Sequence, residues 1–123
     1  MTRHRQQFAK ESESDAVRFL KKRGYKILEQ NYRNRIGEID IIAKDKNTIV
    51  FVEVKARKSR YYGDAKWAVN SRKQRKISMV ALYYLKATKQ TQAKARFDVV
   101  TIHEEKEEPQ IEIIKNAFEL AYG

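Results

Sequence analysis

The chain has 123 residues and a formal net charge of +11, with 41% hydrophobic residues, four Gly and one Pro, which suits one domain that can bury a core and excludes collagen-like or disordered chains. It has no cysteine, so disulfide frameworks, thiolate zinc sites, iron–sulfur clusters and cysteine nucleophiles are excluded together, and His4 and His103 are too few and too distant in sequence to build a metal site. No apolar run approaches the ~20 residues that span a bilayer, and residues 1–10 are basic without the apolar core of a secretory signal; a soluble cytoplasmic protein with no membrane partner is expected.

A single domain over residues 1–123 is expected, with residues 1–10 as a flexible basic N-terminus. From Ser12 or Ser14 to Arg23, the apolar residues Ala16, Val17, Phe19 and Leu20 recur at helical spacing, and Gly24 supplies the stop. Residues 25–31 read as a short strand, followed by the polar corner Arg33-Asn34-Arg35. Residues 37–44 and 48–57 are stronger strands, rich in Ile and Val and separated by Asp45-Lys46-Asn47, which reads as a hairpin. Residues 58–63 form a basic, aromatic loop. Asp64 is a candidate cap for a long helix reaching about Leu85, with Asn70-Ser71 as a point of break or restart and Tyr83 and Tyr84 as core residues. Residues 96–103 make another strand, 111–114 its partner, and 116–122 a terminal helix. The outline is a mixed α/β sandwich.

Charge is unevenly placed along this order. Residues 104–123 hold six acids and two bases, leaving 25 bases against ten acids in residues 1–103. Between Lys55 and Lys76 there are nine Lys/Arg and one acid, Asp64. Such a surface suits a polyanion, whose displaced counterions make affinity fall steeply with salt; a merely solvated basic face is the plain alternative.

The chemistry concentrates in the hairpin. Strict alternation places Glu38, Asp40 and Ile42 on one face of the first strand, with Ile39 and Ile41 opposite. It places Phe51, Glu53, Lys55 and Arg57 on one face of the second, with Val50, Val52 and Val54 forming an apolar face opposite. A turn closing through Lys46-Asn47 makes opposed residue numbers sum to about 93, which sets Asp40 opposite Glu53 and Glu38 opposite Lys55; a three-residue loop would remove the pairing. Two carboxylates so placed can grasp one Mg²⁺, a cation that favours carboxylate oxygens and retained waters. With Lys55 alongside, the three groups suit phosphodiester cleavage by an activated water. The plain alternative is a Glu38–Lys55 ion pair with acids facing solvent.

Gly37-Glu38-Ile39-Asp40-Ile41-Ile42-Ala43 and Phe51-Val52-Glu53-Val54-Lys55-Ala56-Arg57 resemble the YraN-like family of small bacterial proteins, predicted members of the PD-(D/E)XK nuclease superfamily and distant relatives of archaeal Holliday-junction resolvases. The resemblance extends through Tyr62-Gly63, Val69, Lys73-Gln74 and Arg96-Phe97-Asp98-Val99-Val100. It implies a restriction-endonuclease-like αβββαβ core, with a mixed central sheet flanked by helices. It also implies a Mg²⁺-dependent site, with Mn²⁺ as substitute, in which Asp40 and Glu53 are the metal ligands and Lys55 is catalytic. Relatives usually carry Gly-x-x-Gly-Glu in the first helix. Here the stretch is Ala9-Lys10-Glu11-Ser12-Glu13, which lacks both glycines but leaves Glu13 where the additional site acid falls; its rival reading is a helix-dipole residue. The resemblance brings a homodimer into view as well, since resolvase-like relatives act as symmetric dimers.

For nucleic-acid contact the candidates are Arg57, Lys58, Arg60, Tyr62, Arg72, Lys73, Gln74 and Lys76, with Tyr61 and Trp67 as stacking residues or as packing against the sheet. Asp98 reads as a structural partner of Arg96 or Lys94. Three functions compete: a metal-dependent endonuclease acting on DNA, including branched or non-duplex forms; a nucleic-acid-binding protein that keeps the fold without cleaving; and a basic accessory protein of an RNA–protein particle. The joint presence of Asp40, Glu53 and Lys55 favours the first.

Overall fold

β-branched side chains recur through residues 39–54, and such residues favour the pleated backbone. They form the middle of a five-stranded sheet whose spatial order follows the chain: β1 (Lys26–Arg33), β2 (Glu38–Asp45), β3 (Thr48–Arg57), β4 (Lys94–Glu105) and β5 (Glu108–Phe118). The β3–β4 pair is parallel and the other three are antiparallel. Helix α1 (Arg3–Lys22) precedes β1, and α2 (Ser71–Ala87) lies between β3 and β4 in the chain, as a parallel pair requires. This computed structural model describes residues 3–57, 70–105 and 108–118, with side chains at 10–56, 70–103 and 110–118. The mixed sheet flanked by helices is the α/β, restriction-endonuclease-like core that the sequence implied.

Each helix covers one face of the sheet. Ala16, Val17 and Leu20 of α1 pack with Ile41, Ala43, Val50, Val52, Val100 and Ile102. Ile77, Val80, Ala81, Tyr84 and Leu85 of α2 pack with Ile39, Ile42, Ile49, Phe51, Phe97 and Val99. Phe51 lies 5.4 Å from Phe97 between ring centroids and 6.0 Å, edge-on, from Tyr84. Burial of each such large apolar side chain contributes about 1.5–3 kcal/mol.

Several boundaries differ from expectation. Helix α1 starts at Arg3 and not at Ser12 or Ser14, so residues 3–10, expected as a flexible arm, are helical; Gln, Ala and Lys in this stretch are good helix formers. At Asn70-Ser71, expected as a point of break or restart, α2 does start, with Asn70 as its N-cap and its Oδ1 accepting from the Lys73 N–H at 2.9 Å; Asp64 and Trp67 lie outside the described residues. Residues 116–118, expected in a terminal helix, continue β5. The reason is a bulge, with Asn116 at φ 52° and its N–H donating to Asp98 Oδ1 at 2.9 Å. Tyr84 is core as expected, but Tyr83 is 53% exposed, because one helical step of about 100° turns it away from the sheet.

Candidate functional site

The two-residue loop Lys46-Asn47, with Lys46 at φ 57°, closes the β2–β3 hairpin. It sets the register Asp45↔Thr48, Lys44↔Ile49, Ala43↔Val50, Ile42↔Phe51 and Ile41↔Val52, which is the register expected from the sequence. The ladder ends at Ile41↔Val52. Beyond it β2 stays paired with β1 as far as Arg33↔Glu38, and β3 stays paired with β4 as far as Arg57↔His103. The two central strands therefore part inside the sheet, each held by its outer neighbour.

At that fork the alternation of β2 slips. Ile39 and Ile42 both pack in the cluster under α2, whereas Ile41 packs under α1, so the expected sharing of one face by Ile39 and Ile41 is not realised. The slip falls at Asp40. Its Oδ2 accepts a hydrogen bond from the Val54 backbone N–H at 2.8 Å, which satisfies a donor that the parted ladder would leave without a partner. The ladder stops short of both expected oppositions, Asp40 with Glu53 and Glu38 with Lys55, so neither is a ladder pair; Glu38 instead pairs with Arg33 at 3.2 Å.

Glu53 is buried, 5% exposed, and its Oε2 lies 3.3 Å from Lys73 Nζ at the start of α2. Burial first, then the charge of Asp40, push the Glu53 carboxyl up from its ordinary 4.5 to about 7, against the pull of Lys73 and Lys55. Burial likewise raises the Asp40 carboxyl, opposed by the Val54 hydrogen bond and by Lys73. Burial lowers the Lys55 amine, helped by its hydrogen bond with Lys73 and by the charge there. For Lys73 burial opposes the charge, but hydrogen bonds with Lys55 and Glu53 and the two acids outweigh it and raise the pKa. Asp40, Glu53, Lys55 and Lys73 thus form one electrostatic unit. The resemblance marks Lys73 with Gln74 as a nucleic-acid-contact candidate, but nothing in the sequence marks Lys73 as the partner of Glu53.

Glu13 lies in the middle of α1 and not in its first turn, so the helix-dipole reading loses its geometric basis. It hydrogen-bonds with the side chain of Asn31, while burial and the charge of Asp40 raise its pKa. It therefore senses Asp40 from the α1 side; among the described residues no three Asp, Glu or His groups gather as a metal cluster. Two carboxylates are nevertheless a sufficient protein donor set for Mg²⁺, which keeps several waters. Half-buried Asp40 and buried Glu53, interacting at the fork, offer carboxylate oxygens of the kind Mg²⁺ takes, so the residues fit the ion.

Of the remaining candidates, Arg72 and Lys76 are exposed on α2, and Gln74 is half-buried with partners of its own. The Lys76 side chain lies against the start of β2, where a Cβ built on Gly37 would meet its Cε at 3.5 Å and Val80 Cγ2 at 3.4 Å. The side chain of Arg57 and all of Lys58, Arg60, Tyr61 and Tyr62 lie outside the described residues. Asp98 takes the structural role expected of it. Fully buried, it accepts from Arg96 Nε at 3.0 Å, the Asn116 N–H and the Tyr25 hydroxyl at 3.3 Å, while Arg96 also reaches Asp45 at 2.8 Å. No helix among the described residues is long and apolar enough to cross a membrane.

The sequence relationships agree with the family that the hairpin motifs suggested. Chains named UPF0102 protein are 51% identical over 119 residues in Desulfosudis oleivorans, covering 97% of this chain and 95% of that one. In Geobacter metallireducens the identity is 53% over 122 residues, covering 99% and 100%. In Syntrophus aciditrophicus it is 54% over 111 residues, covering 90% and 87%. The matched family model spans residues 12–102, from α1 through the fork and α2 to β4, so the chain belongs to the uncharacterised protein family UPF0102, the YraN-like family.

Proposed function

We propose that the protein is a divalent-metal-dependent endonuclease that hydrolyses phosphodiester bonds of DNA. The observation that carries this reading is the meeting of Asp40 and Glu53 at the fork of β2 and β3, with Lys55 and Lys73 beside them. A purely structural pairing of buried Glu53 with half-buried Asp40 would cost stability with no return. A bound Mg²⁺ or Mn²⁺ would supply Lewis-acid polarisation of a phosphate oxygen and acidify a water for attack.

In this reading Asp40 and Glu53 hold the cation. Asp40 is preset for that role because its hydrogen bond to Val54 fixes its rotamer. Lys55 offers an amine to the attacking water or to the charge that develops on the phosphorane. Lys73, at the start of α2 beside Glu53, would meet a phosphate oxygen, and exposed Arg72 and Lys76 extend the positive track along α2.

The test is cleavage of a panel of duplex, single-stranded, flap and four-way DNAs with Mg²⁺ or Mn²⁺. Asp40→Asn and Glu53→Gln are expected to abolish cleavage, and Lys55→Ala to reduce it at least a hundredfold, with folding retained. Wild-type cleavage no greater than that of these variants contradicts the proposal. Salt-dependent DNA binding without cleavage would then leave the second reading, a nucleic-acid-binding protein on a nuclease fold, which the same basic track of α2 favours.

A further inference from the structure

A second site lies along α2 from the acids. Asn34, Arg35, Ile36 and Tyr83 line a surface pocket of about 480 Å³, within the range of small-molecule sites. Tyr83 is 53% exposed and Met79, one turn before it on the same helix face, is 51% exposed. These are the two large apolar side chains that stand out to solvent among the described residues. Asn34 Oδ1 accepts from the Ile36 N–H at 2.9 Å and the Gly37 N–H at 3.3 Å. Those two bonds fix the orientation of the amide and leave its Nδ2 buried without a partner. Asn34 therefore holds the turn that carries Arg35 and Ile36 to the pocket wall.

We propose that this pocket is a base-binding subsite, which takes one unstacked nucleobase of a single-stranded or locally unpaired nucleic acid. The inference rests on the nuclease reading and names the substrate class that reading leaves open. Tyr83 is the stacking platform and Ile36 the apolar wall. Asn34 fixes the turn that presents Ile36, and Arg35 meets the adjoining phosphate.

The placement relative to the acids fits a strand running along α2. Lys73 lies at Glu53, and Tyr83 stands ten residues further on, about 15 Å at 1.5 Å per residue. That is the span of about four stacked nucleotides at 3.4 Å each. Lys76, seven residues before Tyr83 on the same helix face, is exposed between them. The described lining carries one cation and no acid, which suits a polyanion's base and backbone together.

The test is fluorescence anisotropy without divalent ion, using three labelled probes: a single-stranded oligonucleotide, the same strand made of abasic nucleotides, and a blunt duplex. Tyr83→Ala is expected to weaken the base-bearing single strand at least fivefold, to leave the abasic strand and duplex within twofold, and Tyr83→Phe to restore wild-type affinity. Tyr83 is exposed, so both variants should melt like wild type. No loss on any probe, or an equal loss on all three, overturns the subsite. If wild type binds the probes with ordinary salt dependence, that failure leaves the nuclease reading standing; if wild type binds none of them, both fall.

Discussion

The carboxylate of Asp40 accepts the backbone N–H of Val54 at 2.8 Å, so a side chain of β2 stands in for the backbone acceptor that β2 withdraws where it parts from β3. Structure and chemistry meet in this one bond. Asp40→Asn keeps an acceptor oxygen and should melt within a few degrees of wild type, whereas Asp40→Ala leaves a buried N–H unpaired and should cost about 1–3 kcal/mol in urea denaturation. Both variants are expected to lose Mn²⁺ binding; only the second is expected to lose the fork.

Glu53 sets a pH dependence of definite sign. Its pKa rises from 4.5 to about 7 in the metal-free fold, so the folded protein holds that proton more tightly than the unfolded chain. The resulting stabilisation is complete below about pH 4.5 and is lost as pH rises through about 7. Cation binding runs the other way, because the ligand must be deprotonated. Calorimetric titration with Mn²⁺ should show affinity at least tenfold higher at pH 7.5 than at pH 5.5, and Mn²⁺ should restore the stability lost at the higher pH.

In the proposed site a divalent ion would compete with Lys73 for Glu53, whose Oε2 lies 3.3 Å from the ammonium. Lys73→Gln removes the competitor and a positive charge from the site. Mn²⁺ affinity should therefore rise several-fold while cleavage falls, a split that loss of folding would not produce.

Electrostatic binding predicts additive losses along α2. Arg72 and Lys76 are exposed on α2, and replacing either with Ala should reduce the slope of log affinity against log salt by about one. Anisotropy at four salt concentrations measures it; a slope unchanged in the double variant would place the backbone elsewhere.

The buried Arg96–Asp98 pair marks the contrast with the site. Asp98 is fully buried and held by Arg96, Asn116 and Tyr25, with no acid left wanting a cation. Arg96→Ala strands that charge and should cost about 3–5 kcal/mol, with cleavage per folded molecule unaltered.

What the sequence disclosed and what it concealed divide along physical lines. The register of β2 and β3 was legible because the Lys46-Asn47 loop admits a two-residue closure and because Val50 and Val52 repeat with the strand period. The slip at Asp40 was not, since Ile39, Ile41 and Ile42 are equally apolar and the break in alternation is fixed by which helix covers each. Lys73 was marked by the family resemblance, but its pairing with Glu53 was not legible, since only the approach of α2 to β3 brings the two together. The extension of β5 over residues 116–118 depends on the Asn116 bulge and on Asp98 from a different strand, a contact with no local signature. Tyr83 and Tyr84 differ only in helical phase.

Crystals grown without metal and soaked in Mn²⁺ near pH 7.5 offer the most direct measurement, through the anomalous density at the fork. An anomalous peak between the Asp40 and Glu53 carboxylates, with Lys73 Nζ withdrawn from Glu53 and no peak in Asp40→Asn crystals, is the expected result. No peak at saturating Mn²⁺, with Lys73 still seated on Glu53, would contradict the shared-cation site.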